Sequence, residues 1–174
     1  MIAALLFAVS IQAQDMPFRK AEIKETMKKV ADWQIAHPNK GAEHGDLSWT
    51  NAVLYVGMLD WAELAEREDG DKEYFKWLTS IGGRNGWKPD KRINHADEIA
   101  HSQVLIDHYR KYKNKRMLDP TIARTDWVMK NPPTDNFKLD YRKPETLERW
   151  TWCDALFMAP PVYTKLYVLT GDKK

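Results

Sequence analysis

A single carboxylate within an aromatic and aliphatic stretch is the feature of this sequence that most suggests chemistry. The stretch is residues 149–161, RWTWCDALFMAPP, and its carboxylate is Asp154. An ionised carboxylate is costly to remove from water, so it pairs with a cation, caps a helix or lies in a pocket that keeps it protonated. A general acid working near neutral pH needs the last of these. The residues alone leave two interpretations equally open: Asp154 is an acid or base, or it caps the helix that contains residues 156–158.

A second group of polar side chains lies in residues 94–101, NHADEIAH. Asp97 begins a predicted helix there, and the pattern favours a helix cap over a functional role. A metal site is a weaker alternative, because Asp97 and His101 are four residues apart on one helix face with His95 nearby. No third ligand stands at a diagnostic spacing. We therefore expect no metal and no cofactor.

The remaining candidates have simpler structural explanations. His44 and Asp46 lie in a turn bounded by glycines and are expected to be solvated. Trp61 and Trp77 fall at the spacing of helical core residues. Cys153 suggests a thiol nucleophile, but no spacing identifies a histidine as its base, and a lone cysteine is usually a small core residue.

The elements that must position these side chains all have helical periodicity, so the sequence predicts an all-α fold. The first helix should cover 18–33 and bury a face of Ile23, Met27, Val30 and Ala31. Ser48 should cap the second, whose apolar face consists of Trp49, Ala52, Val53, Val56, Leu59 and Leu64. Further helices are predicted near 74–81, 97–112, 119–129 and 154–169, the last disturbed by Pro160 and Pro161, with a loop over 82–86.

A faint internal repeat marks the ends of three helices. Residues 64–74, 109–117 and 166–174 each end a helix in a turn followed by a basic residue, with Asn114 at the place of Gly70 and Gly171. Marks spaced by roughly 50 residues indicate a repeating helical hairpin. Because the last copy stops at Lys174, we expect the chain to be part of a larger array. Alone it would expose an open helical face and be unstable or inactive.

Charge and the first residues limit the partners and the location. Lys and Arg number 27 against 25 Asp and Glu, with no basic block that would indicate nucleic acid. Residues 1–11 are nearly all apolar and a polar segment follows, which is typical of a signal peptide cleaved after Ala13 and too short for a membrane span. The alternative is a buried N-terminal helix. We expect a periplasmic or secreted protein that binds neither nucleic acid nor membrane.

Two stretches together resemble the unsaturated glucuronyl and rhamnogalacturonyl hydrolases, glycoside hydrolase families 88 and 105, and more closely the second. The first is His95-Ala96-Asp97-Glu98-Ile99 with 103–105 and Tyr109 downstream, and the second is 149–161. The resemblance runs from about Ile23 to the end. It implies an (α/α)6 toroid of six helical hairpins, of which residues 17–174 would supply roughly the first half.

The resemblance also implies a reaction. Such enzymes act on oligosaccharides left by polysaccharide lyases, which carry a C4=C5 double bond on a uronic acid at the non-reducing end. They protonate the enol ether and add water at C5, and the hemiketal then opens and releases the partner sugar. No glycosyl-enzyme forms, so the usual carboxylate-separation rules do not apply. Two other classes stay open: a toroid that only binds sugar, and another α/α-toroid enzyme such as an isomerase or lyase.

The roles implied for individual residues follow the two stretches. Asp154 would be the acid and base, and Asp97 would bind sugar hydroxyls and adjust the charge of its partner. The substrate-binding positions are Trp152 and Met158, to which we add His95 and Trp49. The residues that bind the substrate carboxylate would follow Lys174.

Overall fold

A computed structural model describes residues 19–38, 44–132, 138–148 and 150–172. Over these ranges every regular element is a helix and no strand is formed, so the predicted all-α fold is confirmed. The proposed signal segment, 1–13, lies outside the described residues. Among the described residues, no helix combines the length and apolar character that a membrane crossing requires.

Eight α-helices and two short 3₁₀ helices form the described part of the chain. The α-helices are α1 (Lys20–Ala36), α2 (Trp49–Asp69), α3 (Glu73–Arg84), α4 (Ala96–Ala100), α5 (Ser102–Tyr112), α6 (Asp119–Lys130), α7 (Ala155–Met158) and α8 (Pro160–Thr170). The 3₁₀ helices are Lys115–Met117 and Pro144–Glu148. The prolines at 160 and 161 begin α8, as expected of residues that lack a main-chain N–H.

The single helix predicted over 97–112 is wrong, since the structure has two helices that meet at His101. The His101 N–H bonds to Ile99 O, and its carbonyl then accepts from Val104 and Leu105. The hydrogen-bond ladder therefore tightens at this residue and restarts. Periodicity did not show the break because apolar residues continue through it.

The loop predicted over 82–86 is also partly wrong, because Gly82 and Gly83 belong to α3. Gly82 lies against the Trp87 indole, and a Cβ at that position would overlap the ring. The turn comes later, where Gly86 and Trp87 have φ of 63° and 59°. The glycine at 82 thus permits close packing rather than a turn.

Three helix ends share one geometry, which supports the repeat. Gly70, Lys113 and Gly171 have φ of 71°, 57° and 72°, and each donates its N–H to the carbonyl four residues earlier. The middle copy needs one correction, since the left-handed residue is Lys113 and not Asn114. The Asn114 side chain instead accepts from Arg116 N at 3.1 Å and caps the following 3₁₀ helix.

The first hydrophobic core joins α2 and α3, with α1 against α2. Of the predicted α1 face only Ala31 is buried, and Ile23, Met27 and Val30 are exposed, so that prediction is wrong. The face of α1 that meets α2 instead contains Ala31 and Lys24. The Lys24 Nζ lies 3.0 Å from a carboxylate oxygen of Glu68 and 2.8 Å from one of Asp69.

The predicted apolar face of α2 is correct in part. Ala52 and Leu59 are buried, and Val56 and Leu64 are partly buried, but Val53 and Trp49 are exposed. Trp61 is buried and Trp77 packs at the edge of the same core, which confirms their structural assignment.

The second core is formed by the later helices, and it decides where the polar side chains meet. Helix α4 packs against α7, α5 against α8, and α7 against α8. Because α4 and α7 are short and adjacent, the residues at their N-terminal ends open onto one cavity.

Candidate active site

A cavity of about 420 Å³ lies where the start of α2, the segment 92–97 and the segment 150–155 converge. Its lining residues are Trp49, Arg92, His95, Ala96, Asp97, Pro144, Trp150, Trp152, Asp154 and Ala155. Ligand pockets in proteins generally have several hundred Å³, so this one is large enough for sugar rings. Five of the six residues singled out from the sequence therefore share one cavity.

The sixth residue, Met158, does not line this cavity. It is buried in the second core. Met158 lies on the side of α7 that faces the core, so the prediction that it contacts substrate in this part of the protein is wrong.

His95 organises the start of α4. It occupies the N-cap position with extended backbone, and its Nδ1 accepts from Asp97 N at 3.2 Å. Asp97 is therefore not the cap that the sequence predicted, because the helix begins at Ala96. Asp97 lines the cavity, with its Oδ2 3.5 Å from His95 Nδ1.

Arg92 is a cavity residue that the sequence reasoning missed. Its Nε donates to Glu98 Oε1 at 2.6 Å, and its Nη2 lies 3.7 Å from Asp97 Oδ2. Burial raises the pKa of Glu98, and the hydrogen bond from Arg92 acts in the opposite direction. Arg92 belongs to no recognisable motif. The sequence offered one indication of its role, which is that it stands five residues before the acidic pair Asp97 and Glu98.

Asp154 occupies the N-cap position of α7, but its carboxylate forms no capping hydrogen bond. Only its main-chain oxygen is used there, accepting from Phe157 and Met158 at 2.9 and 3.2 Å. The capping interpretation therefore fails, and the carboxylate is free of the helix that it begins. Asp154 is exposed at the cavity wall, so the described residues do not remove its carboxylate from water.

Hydrogen bonds to main-chain oxygens hold the two sides of the cavity. Trp150 Nε1 donates to Asn94 O at 2.7 Å, which ties the segment before α7 to the segment before α4. Gln103 Nε2 donates to Phe157 O at 2.8 Å and fixes the end of α7. Arg124 donates from α6 to Asp90 O at 2.6 Å.

Aromatic side chains supply the apolar wall. Trp49 and Trp152 are 43% and 48% exposed, whereas Trp61 in the first core is 3% exposed. The Tyr141 ring meets Trp152 edge to face at 5.9 Å. Exposed indole faces next to two carboxylates suit a ligand with apolar C–H faces and hydroxyl groups, as sugars have.

The arrangement of histidines does not favour the metal alternative. His101 is buried, and neither of its ring nitrogens has a hydrogen-bond partner among the described residues. Its ring packs against Tyr55 at 5.5 Å. In the described part of the chain, no group of three or more His, Cys, Asp and Glu residues is placed to hold a metal ion.

Two of the remaining candidates differ from expectation. Cys153 is exposed and does not belong to the core. Asp46 is not simply solvated, since Arg84 binds both carboxylate oxygens at 2.5 and 2.7 Å and lowers the pKa of Asp46. This pair fastens the turn before α2 to the end of α3. His44 is exposed, as expected.

Comparison with known families decides what kind of protein carries this cavity. The family description Glycosyl Hydrolase Family 88 matches residues 19–174. The chain belongs to this family. Family 88 is one of the two related families that residues 95–99 and 149–161 resemble.

Two curated relatives extend this finding. An unsaturated 3S-rhamnoglycuronyl hydrolase of Formosa agariphila is 31% identical to this chain over 144 residues, which make up 82% of the chain. A protein of the same name from Alteromonas sp. (strain LOR) is 23% identical over 182 residues and 92% of the chain. The chain spans 37% and 43% of the lengths of these two relatives.

A solved structure named as a polysaccharide lyase has the same fold over most of this chain. The TM-score is 0.62 at 27% identity, with 87% of this chain and 42% of that protein covered. This likeness supports the helical-hairpin architecture expected of an α/α toroid. The matched region is less than half of the solved structure.

Proposed function

We propose that the protein removes an unsaturated uronic acid from the non-reducing end of lyase-generated oligosaccharides. The observation that carries this proposal is the joint presence of Asp97, Asp154 and exposed indoles in one cavity. Membership of family 88 and the names of the two curated relatives support it. Asp154 is the acid and base, and Asp97 is the second carboxylate.

The reaction needs a proton at one carbon and water at the next. Protonated Asp154 gives its proton to C4 of the double bond, and positive charge develops at C5 and the ring oxygen. Water adds at C5 and returns a proton to the Asp154 carboxylate, so the residue ends as it began. The hemiketal then opens to a ketone at C5, and the partner sugar leaves from C1. The net change is the addition of one water and the release of one sugar.

The position of Asp154 leaves its carboxylate accessible for both proton transfers. Because its carboxylate makes no capping bond, no bond to the helix must break for either transfer. Its exposure at the cavity wall allows water to approach. Asp97 lies at the start of α4 across the same cavity, where it can accept hydrogen bonds from sugar hydroxyls and place the ring.

The first prediction concerns Asp154→Asn in the full-length protein. An amide can neither donate the proton to C4 nor take one from water, so we expect turnover of an unsaturated galacturonyl-rhamnose or glucuronyl-rhamnose disaccharide to fall by about 10²- to 10⁴-fold. The measurement is the loss of the ultraviolet absorbance of the double bond. Asp60→Asn, a matched change at an exposed position of α2, is the control and should leave turnover intact. Near wild-type turnover by Asp154→Asn would refute the assignment.

A lyase is the second candidate, favoured by the name of the similar solved structure and by the presence of His95 in the cavity. A lyase removes the proton at C5 and creates the double bond that a hydrolase consumes. The same absorbance therefore rises with a saturated polysaccharide if the protein is a lyase. It falls with an unsaturated disaccharide if the protein is the proposed hydrolase.

A further inference from the structure

We propose that Arg92 binds an acidic substituent of the sugar, a carboxylate or a sulfate ester, and so selects anionic substrates. The inference rests on the proposed function, because it names the chemistry that the same cavity recognises. It begins from the position of the guanidinium, which lines the cavity beside Asp97.

The donors of Arg92 are only partly used within the described structure. Its Nε is bonded to Glu98, and its Nη2 is 3.7 Å from Asp97 Oδ2, beyond hydrogen-bond distance. A guanidinium has five N–H donors in a planar fork that matches two oxygens of a carboxylate or sulfate. Its side chain is 47% exposed, so the unused edge is open to a ligand.

Glu98 makes Arg92 a prepared site rather than a mobile surface cation. The Glu98 side chain is only 9% exposed and accepts from Nε at 2.6 Å, which fixes the orientation of the fork. Main-chain contacts hold the base of the same segment, since Asp90 N donates to Glu98 O and Arg124 donates to Asp90 O. An anion then binds without first ordering a long side chain.

The charges around the cavity explain how Arg92 could make the protein prefer acidic sugars over neutral ones. The Asp97 carboxylate repels an acidic sugar, and Arg92 is the one arginine or lysine among the described residues that line the cavity. A sugar acid held by Arg92 offsets that repulsion, whereas a neutral sugar gains nothing from it. Arg92 is thus a specificity-determining residue, and Glu98 is its positioning residue.

The test is a cycle of two protein variants and matched substrates. Arg92→Gln and wild type are compared, in the full-length protein, on an unsaturated disaccharide with a free carboxylate and on its methyl ester. A second pair of substrates differs only by a sulfate ester. The kcat/KM is measured for each, or the Ki as a competitor where a substrate turns over too slowly.

We expect Arg92→Gln to lose about ten- to a hundred-fold in kcat/KM, mainly through KM, on the substrate with the recognised anion. The loss on its neutral counterpart should be several-fold smaller. Dependence on the carboxylate identifies the uronic acid as the ligand, and dependence on the sulfate identifies the ester. An equal loss on every substrate would overturn the proposal, because it would show that Arg92 only supports the fold or Asp97.

Two further variants separate a loss of substrate binding from a loss of folding. Arg92→Gln leaves Glu98 buried without its cation, so Arg92→Gln with Glu98→Gln is measured as well and should show the same substrate dependence. Arg110→Gln is the matched control, because that arginine is similarly exposed and paired with Asp107 away from the cavity. If wild type itself turns over none of the substrates, the proposed function fails and not the inference about Arg92.

Discussion

At the scale of single residues, the least expected feature is His101, directly after α4, whose two ring nitrogens have no hydrogen-bond partner among the described residues. Burial, together with a smaller effect of nearby His108, lowers the pKa of His101 to about 4, although Asp46 and Asp90 act in the opposite direction. The ordinary pKa of an unfolded histidine is about 6.5. The folded state therefore binds fewer protons than the unfolded state between these two values.

This difference predicts a loss of stability in mild acid. The contribution of His101 is fully present above about pH 6.5 and is lost as the pH falls towards 4, by about 3 kcal/mol in total. His101→Leu keeps an apolar contact with Tyr55 and should flatten the dependence of unfolding free energy on pH over this window. Denaturant unfolding at several pH values measures it. His108, whose pKa burial also lowers, should leave a residual slope. An unchanged slope in the variant would contradict the assignment.

The sequence predicted which residues meet in the cavity better than it predicted their local roles. Asp97 and Asp154 were each open to explanation as helix caps, yet His95 is the cap of one helix and the Asp154 carboxylate caps nothing. Which side chain caps a helix depends on the residue at which the helix begins, and a shift of that start by one or two residues gives the cap to a different side chain. Arg92 was missed because its importance comes from Glu98, a contact that spacing alone does not reveal.

At the scale of elements, α3 shows how a glycine can serve packing rather than a turn. Gly82 lies under the Trp87 indole, while Gly83 beside it faces solvent with nothing within 4 Å of a Cβ. Glycine-rich sequence is ordinarily a sign of a loop, and only the tertiary contact with Trp87 explains a helix there.

Two alanine substitutions separate these roles. Gly82→Ala should destabilise the protein by about 1–3 kcal/mol, because the Trp87 ring must move from a tightly packed site. Gly83→Ala, its matched control, should stabilise by up to about 1 kcal/mol, since alanine favours a helix over glycine. Thermal or denaturant unfolding of both variants gives the comparison. Equal effects of the two changes would mean that the indole does not constrain position 82.

The number and order of most helices were predictable because amphipathic periodicity reports burial. The face that α1 turns inward was not, since Lys24 pairs with Glu68 and Asp69 while Ile23 and Met27 stay exposed. Which side of such a helix is buried depends on its neighbours, and these are not encoded in the helix itself.

At the scale of the whole molecule, apolar side chains lie open on several helices. A groove of about 360 Å³ runs between α6 and α8, and Met129, Tyr167 and Val168 are 53%, 47% and 69% exposed on the same helices. Exposed apolar area of this kind favours association in water.

We therefore expect residues 19–174, expressed alone, to self-associate as the concentration rises. Val168→Lys removes apolar surface and adds charge, so it should lower the apparent mass measured by light scattering. Thr164→Lys adds the same charge on α8 without removing a large apolar side chain, and should have a smaller effect. A monodisperse monomer at all concentrations, with or without the substitutions, would refute this expectation.

Two of the bonds that hold the segment before α4 end on main-chain oxygens. Trp150 reaches the carbonyl of Asn94, and Arg124 reaches the carbonyl of Asp90. A carbonyl is present whatever the side chain, so neither bond depends on the side chain at position 90 or 94, while the indole and the guanidinium must be retained. The Asp90 carboxylate also accepts a hydrogen bond from Lys91 N at 2.8 Å, so position 94 is the freer of the two to change. Homologues should accordingly vary at position 94 and hold Trp150 and Arg124 constant, which would let the lineage change this point of the rim without rebuilding the walls of the cavity.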